Sequence, residues 1–374
     1  MRFLYVVVVI AFIDTFIQLP IMTPYALSLG ASETLAGVIV AMYSLSNVLG
    51  NIIGGYWVDR IGRKPIIIIG MVLVSFTLFF YPLAVTGEQL LWIRFVHGLF
   101  GGVLVPAAFA LIGDWAKDTG NKKVMAFAGG SIGIAAIVGP ALGGALAAAG
   151  QIIYVFILVA FVFLITAVLS IRYIKSMSPV QDKTPVDRQT LNAILTNRGV
   201  LKASTVAFTL MLSNGTLAFA LPILVDQLQL TTVATGLLLS LFGISALFIF
   251  MTRLNVVFVR FTPFTLVFAG LGIIAFSMGI LHFAFNLSML IVAMIVYGIG
   301  FAFIFPSMNQ MITNSTDETL RGKAYGLFYS CFSLGVVAGS SVSGIVQQSW
   351  GIPFIFCVGL IIINLIILRQ LNKK

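Results

Sequence analysis

Apolar runs near or above twenty residues recur from residue 3 to residue 370, divided by short polar breaks. Twenty residues of helix are enough to cross about 30 Å of hydrocarbon. The pattern predicts twelve membrane-spanning helices, at 3–28, 34–57, 65–85, 89–113, 122–149, 152–173, 200–226, 232–255, 262–285, 288–312, 322–347 and 352–370. The breaks GEQ at 87–89 and AGQ at 149–151 are hairpin-tight, so the helices they join should run antiparallel as neighbours. The longest polar stretch, 174–199, falls mid-chain and reads as a linker. It divides the protein into a first six-helix bundle over 1–173 and a second over 200–374.

Lysine and arginine prefer cytoplasmic loops, which orients the spans. Arg94 lies inside a run. All the other basic residues fall at the two ends of the chain or in the breaks after even-numbered spans. The odd-numbered breaks hold only acids, among them Glu33, Glu88 and Asp226. Both termini are therefore expected on the cytoplasmic side of a plasma membrane. The start of the chain, with no small-residue cleavage site after a short apolar core, reads as a retained first span.

Composition strengthens this picture. Charged residues make up 9% of the chain and hydrophobic ones 60%, whereas a soluble domain carries about 25% charged residues. The formal charge of +10 would suggest a nucleic-acid partner in a soluble protein. Here it follows the loops and reads as topology, with no nucleic acid implied. Cys331 and Cys357 lie in apolar runs and suggest neither a disulfide framework nor a metal site. No phosphate loop, metal-spaced His/Cys cluster or nucleophile–base arrangement is present, so neither ATP use nor enzymatic chemistry is expected.

The two halves are related at an offset of about 200 residues. VHGLFGGVLVPAAFALI (96–112) lies over VYGIGFAFIFPSMNQMI (296–312), with Gly98 opposite Gly298 and Pro106 opposite Pro306. Pro24 pairs with Pro222, and Pro65 with Pro263. Transporters commonly place a site between such repeats near mid-membrane; duplication kept for packing is the alternative. The charges are not repeated: Arg94 falls over Met294 and Asp59 over Val257.

GGYWVDRIGRK at 54–64 puts Asp59, Arg60, Arg63 and Lys64 into one short turn. Gly54 and Gly55 would leave the helix end bare for a neighbour. Gly62 permits the turn, and Pro65 suits the first turn of the next helix. The basic residues can pair with Asp59, and Arg63 with Asp114 at the end of span four. Such a latch could open and close; a positive-inside anchor is the plainer alternative.

The stretch G-x-x-x-D-R-x-G-R-K, with Gly55, Asp59, Arg60, Gly62, Arg63 and Lys64, resembles the signature loop of the major facilitator superfamily. The likeness extends over the whole chain. It implies an all-α fold of two pseudo-symmetric six-helix bundles and a loop that gates alternating access. RFVHGLFGG (94–102) resembles the fourth-span motif of the twelve-span drug–proton antiporters, though that motif usually has Gln at the place of His97. GIAAIVGPALGG (133–144), with Gly139, Pro140, Gly143 and Gly144, resembles their fifth-span antiporter motif; Ala135 stands where a glycine is usual.

Charge inside a membrane is costly and marks function by default. Asp14 lies about eleven residues, roughly 16 Å, into span one, and Arg94 lies within span four. Burial favours a neutral acid and a neighbouring guanidinium favours the carboxylate. Asp14 is thus expected to carry the proton and sense cationic cargo, with Arg94 tuning it; a static pair that braces the bundle is the alternative. Gln18, Tyr43, Asn47, Asn214 and Asn309 are further cavity candidates, each equally suited to an interhelical hydrogen bond. Asp226 is expected to be wet, and His282 to sit at the periphery.

The resemblance implies a proton-coupled exporter of small, partly apolar molecules, driven by the proton gradient without a cofactor. Its expected partners are lipid, protons and cargo, and it is expected to act as a monomer in a bacterial membrane. Dedicated export of a metabolite such as a sugar, siderophore or metallophore is the alternative within transport. A non-transporting sensor or scaffold is the alternative from another class.

Overall fold

A computed structural model of the protein describes residues 3–119, 123–150, 152–174, 188–316 and 318–373. Helices α1 (Phe3–Ile17), α2 (Met22–Ser28), α3 (Glu33–Ile61), α4 (Arg63–Leu78), α5 (Gly87–Thr119), α6 (Lys123–Ala148) and α7 (Ile152–Tyr173) come first. They are followed by α8 (Arg188–Thr196), α9 (Arg198–Gln227), α10 (Thr232–Met251), α11 (Val257–Arg260), α12 (Pro263–His282), α13 (Leu287–Ser315), α14 (Glu318–Trp350) and α15 (Pro353–Lys373). Among the described residues there is no strand. Eleven helices are long and apolar enough to cross a membrane, and the bent pair α1–α2 makes a twelfth span.

The first span differs from its expected form. It is not one helix over 3–28 but two, meeting at 47°. Pro20 sits in the break and has no amide hydrogen to donate. The Gln18 carbonyl instead accepts from both Ile21 and Met22 across it. The expected linker also holds structure: α8 packs on α14, with Ile194 buried. Residues 175–187 lie outside the described ones.

Polar residues at the boundaries explain where helices start. The side chain of Ser32 caps α3, Thr262 caps α12 and Asn286 caps α13, each accepting an otherwise unpaired amide of the first turn. Four turns end their helices with a residue at positive φ: Gly30 (77°), Gly150 (74°), Gly351 (68°) and Gln229 (57°). At the repeat offset, Gly150 matches Gly351, and Gly30 matches Gln229. The turns after spans one, five, seven and eleven thus share a backbone form, and at Gln229 it persists without glycine.

The chain forms two compact units, Met1–Asp182 with Pro222–Ser240, and Lys183–Leu221 with Leu241–Lys374. In the first unit α3 and α5 approach most closely. A Cβ at Gly50 would strike the Leu99 carbonyl, one at Gly54 would lie 2.7 Å from the Val103 Cα, and one at Gly98 would strike the Tyr43 carbonyl. Small residues let membrane helices touch backbone to backbone. The second unit uses the same device, with Gly298 against the Phe242 carbonyl of α10 and Gly339 against the Leu212 carbonyl of α9.

Candidate functional site

The end of α1 places Asp14 and Gln18 one turn apart, beside α5, which carries Arg94 and His97. All four are buried: Asp14 is 1% exposed, His97 0%, Gln18 3% and Arg94 6%. Buried polar groups of this kind have to satisfy one another. Gln18 Nε2 donates to Asp14 Oδ1 at 2.7 Å. Arg94 Nη1 donates to Gln18 Oε1 at 2.6 Å. His97 Nε2 lies 2.9 Å from Asp14 Oδ2, and its Nδ1 lies 2.8 Å from the Tyr81 hydroxyl. The result is one chain: Tyr81, His97, Asp14, Gln18, Arg94.

Aromatic rings enclose this chain. The Arg94 guanidinium lies 4.8 Å from the centre of the Tyr43 ring, a cation–π contact. Tyr43 also meets the His97 ring edge-on at 5.1 Å, and its hydroxyl lies 3.3 Å from Thr15 Oγ1. Tyr81 stacks on Phe156 of α7 at 4.2 Å. Tyr25 of α2 donates its hydroxyl to the Tyr81 carbonyl at 2.6 Å.

Asp14 and Arg94, named together from the sequence, are joined through a third residue. The Gln18 amide stands between them, because it occupies the last turn before α1 breaks. The direct partner of the Asp14 carboxyl on α5 is His97, with Nε2 at 2.9 Å from Oδ2. Sequence reasoning left His97 without a role and missed Tyr81, which lies in a short turn at 81–83 beyond α4. The one available signal was the replacement of the usual Gln by His at position 97.

Asn47 stands at the rim, its Nδ2 3.4 Å from the Gly98 carbonyl. Asn214 and Asn309 belong to the second unit. There, Ser213 Oγ lies 3.0 Å from the Tyr297 hydroxyl. Tyr297 is the repeat counterpart of His97, and Ser213 faces it as Asp14 faces His97. The crossing is kept and its charge is lost: Met294, opposite Arg94 in the repeat, is wholly buried. Asn214 is half-buried beside this bond. Asn309 donates to the Phe305 carbonyl of its own helix at 2.8 Å.

The fifth-span glycines touch the site directly. A Cβ at Gly139 would lie 2.8 Å from Phe16 Cβ, and one at Gly143 would strike the Ile17 carbonyl. Phe16 and Ile17 are two of the three residues between Asp14 and Gln18. Gly144 faces the Gly236 Cα, and Gly236 packs on the Pro140 carbonyl. In the same unit Asp226 is exposed and lines a cavity of about 230 Å³ with Pro24, Pro222 and Thr235.

At the 54–64 turn, Gly62 takes φ 97° between α3 and α4. Lys64 Nζ donates to the Ile171 carbonyl at 2.7 Å, and the Arg60 guanidinium lies 4.3 Å from the Tyr56 ring centre. Arg63 is half-buried. The expected roles of the two glycines separate: Gly54 makes the close approach, and Gly55 has open space where a Cβ would stand. The side chains of Asp59 and Asp114 lie outside the described ones, so their expected pairings do too. His282 ends α12 against Phe283, half-buried. Among the described residues no cluster of metal-ligating side chains occurs.

Comparison with known proteins agrees with this architecture. A family profile described as Major Facilitator Superfamily matches residues 4–340 and 265–373. Multidrug resistance protein 1 of Bacillus subtilis (strain 168) is 31% identical over 162 residues, 43% of this chain and 41% of that protein. Quinolone resistance protein NorA of Staphylococcus aureus (strain Mu50 / ATCC 700699) is 28% identical over 144 residues, 38% of this chain and 37% of that protein. The matched stretch spans less than half the length of these relatives. Among solved structures, a bacterial homolog to the human lysosomal transporter Spinster, inward-facing and occupied, superposes with a TM-score of 0.83 at 14% identity. That match covers 100% of this chain and 96% of the other. The nucleoside transporter NupG superposes with a TM-score of 0.76 at 14% identity, covering 100% of both chains. At such identities these structures show the fold alone.

Proposed function

The chain belongs to the Major Facilitator Superfamily of membrane transporters, and from that premise we propose that it exports small, partly apolar molecules in exchange for protons. It does so by alternating access across a plasma membrane, with both termini cytoplasmic. The observation that carries this reading is the contact of Gly139 and Gly143 with Phe16 and Ile17, two and three residues after Asp14. Any slide of α6 against α1 moves the backbone that holds the buried acid. Movement of a helix and the charge state of the buried cluster around Asp14 are thereby coupled, which is what exchange requires.

The names of the multidrug and quinolone resistance relatives support export of drug-like compounds. The cluster supports a cationic, aromatic cargo: Asp14 supplies the anion, and Tyr43 supplies a ring face that attracts cations. The Lys64 and Gly62 turn closes one end of the bundle and takes the part of a gate.

Everted vesicles containing the protein test this reading with tetraphenylphosphonium as the probe. An acidic lumen is expected to drive its accumulation, and an ionophore that collapses the pH difference is expected to abolish it. Accumulation that persists without a proton gradient would overturn proton coupling. A protein that moves no member of a panel of lipophilic cations, neutral drugs and metal-chelating metabolites is not this exporter.

A further inference from the structure

The hydrogen bonds of the cluster restrict where a proton can sit. Arginine has donors only, so the bond from Arg94 Nη1 fixes the Gln18 oxygen toward Arg94. The Gln18 amide NH₂ then points at Asp14 Oδ1. The other oxygen, Oδ2, faces His97 Nε2 at 2.9 Å. One bond holds one hydrogen, and a neutral imidazole with hydrogen on Nε2 already fills it while Asp14 is an anion. The ring nitrogen of the chain still without hydrogen is then His97 Nδ1, where a further proton has a partner in place.

Nδ1 faces the Tyr81 hydroxyl at 2.8 Å. A hydroxyl can donate or accept. In the proton-poor state it donates into Nδ1, and in the proton-rich state it accepts from Nδ1–H by turning about its C–O bond. Both positions of the proton are therefore satisfied without moving the ring, which Tyr43 and Tyr81 hold edge-on.

Resting on the proton-coupled reading above, we infer that the exchanged proton is carried on His97, entering at Nδ1, with Asp14 as its permanent counter-ion and Tyr81 as the positioning residue. Loading forms one N–H bond and breaks one O–H bond, in the water or hydronium that delivers the proton. The titratable and charged groups around His97 are Asp14 from α1, Tyr25 from α2, Tyr43 from α3 and Tyr81 from the turn after α4. Arg94 lies one turn away on α5 itself and also reaches the Tyr81 hydroxyl, and α7 contributes the apolar Phe156. The second unit has Tyr297 and Ser213 at the same crossing, so the device exists in one repeat only.

Histidine-selective ¹⁵N labelling of the full chain in lipid nanodiscs tests this, because the protein has two histidines and His97→Gln assigns the spectrum. Across a falling pH series, His97 is expected to pass from hydrogen on Nε2 alone to hydrogen on both nitrogens. Infrared spectra over the same range are expected to show no neutral-acid band that disappears in Asp14→Asn. Tyr81→Phe is expected to keep the fold and change the pH at which His97 titrates; an unmoved titration would remove Tyr81 from the relay. A bare Nδ1 throughout, with a neutral-acid band lost in Asp14→Asn, would place the proton on Asp14 and overturn the inference. Loss of proton exchange in Asp14→Asn beside an untitrated His97 sinks the inference alone. Unchanged proton exchange in Asp14→Asn removes the counter-ion and with it this inference, whereas a wild type that exchanges no protons at all sinks the proton-coupled reading itself.

Discussion

Each member of the buried chain satisfies a neighbour, so removing one leaves another exposed to cost. Arg94→Met, which copies Met294 of the second half, strips the Gln18 oxygen of its donor. An unsatisfied buried group costs about 1–3 kcal/mol, and the thermal midpoint in detergent should fall accordingly. Asp14→Asn keeps the size and accepts from Gln18 as before, so it is expected to fold with a smaller loss while abolishing exchange. A well-folded Asp14→Asn that exports like wild type would contradict the role given to the acid. Asp14, Gln18, Tyr43 and Arg94 were legible in the sequence because polar groups are rare in these runs. The order of the chain was not: it depends on α1 ending at Ile17, which puts an amide between acid and guanidinium. Tyr81 looked like one of many aromatic residues near a helix end, and its meeting with His97 comes from the packing of three separate elements.

At the scale of helices, glycines decide which pairs touch. Gly98→Ala would drive a methyl into the Tyr43 carbonyl, and backbone cannot step aside. Overpacking of this kind costs about 1–3 kcal/mol, readable as a lower thermal midpoint. Gly55→Ala meets open space and is expected to stay within about 0.5 kcal/mol of wild type or gain slightly. Any loss of transport in Gly55→Ala then reports gating, not folding; equal destabilisation by both substitutions would show that α3 packs differently. The spans were legible to within a few residues from hydrophobic length alone, since length against bilayer thickness is a strong constraint. The break in the first span was not legible that way. Its residues, Gln18 to Ile21, are apolar enough to continue the run, and only the missing amide of Pro20 argues against it.

At the scale of the whole molecule, the basic residues predict an orientation for every loop. Single cysteines at Glu33 or Glu88 are expected to react with a membrane-impermeant maleimide added outside intact cells, and a cysteine at Arg253 only after the membrane is opened. The reverse pattern would invert the transporter. The repeat was legible from Gly98 with Gly298 and Pro106 with Pro306. Its functional asymmetry was legible as missing charge, and the structure gives that a form: Asp14 with His97 in one half, Ser213 with Tyr297 in the other. The most direct measurement is proton release from purified, detergent-held protein when lipophilic cations, neutral drugs or metal-chelating metabolites are added, for wild type against Asp14→Asn. The account predicts that at least one compound displaces protons from wild type and none from Asp14→Asn. Equal release from both proteins would contradict it.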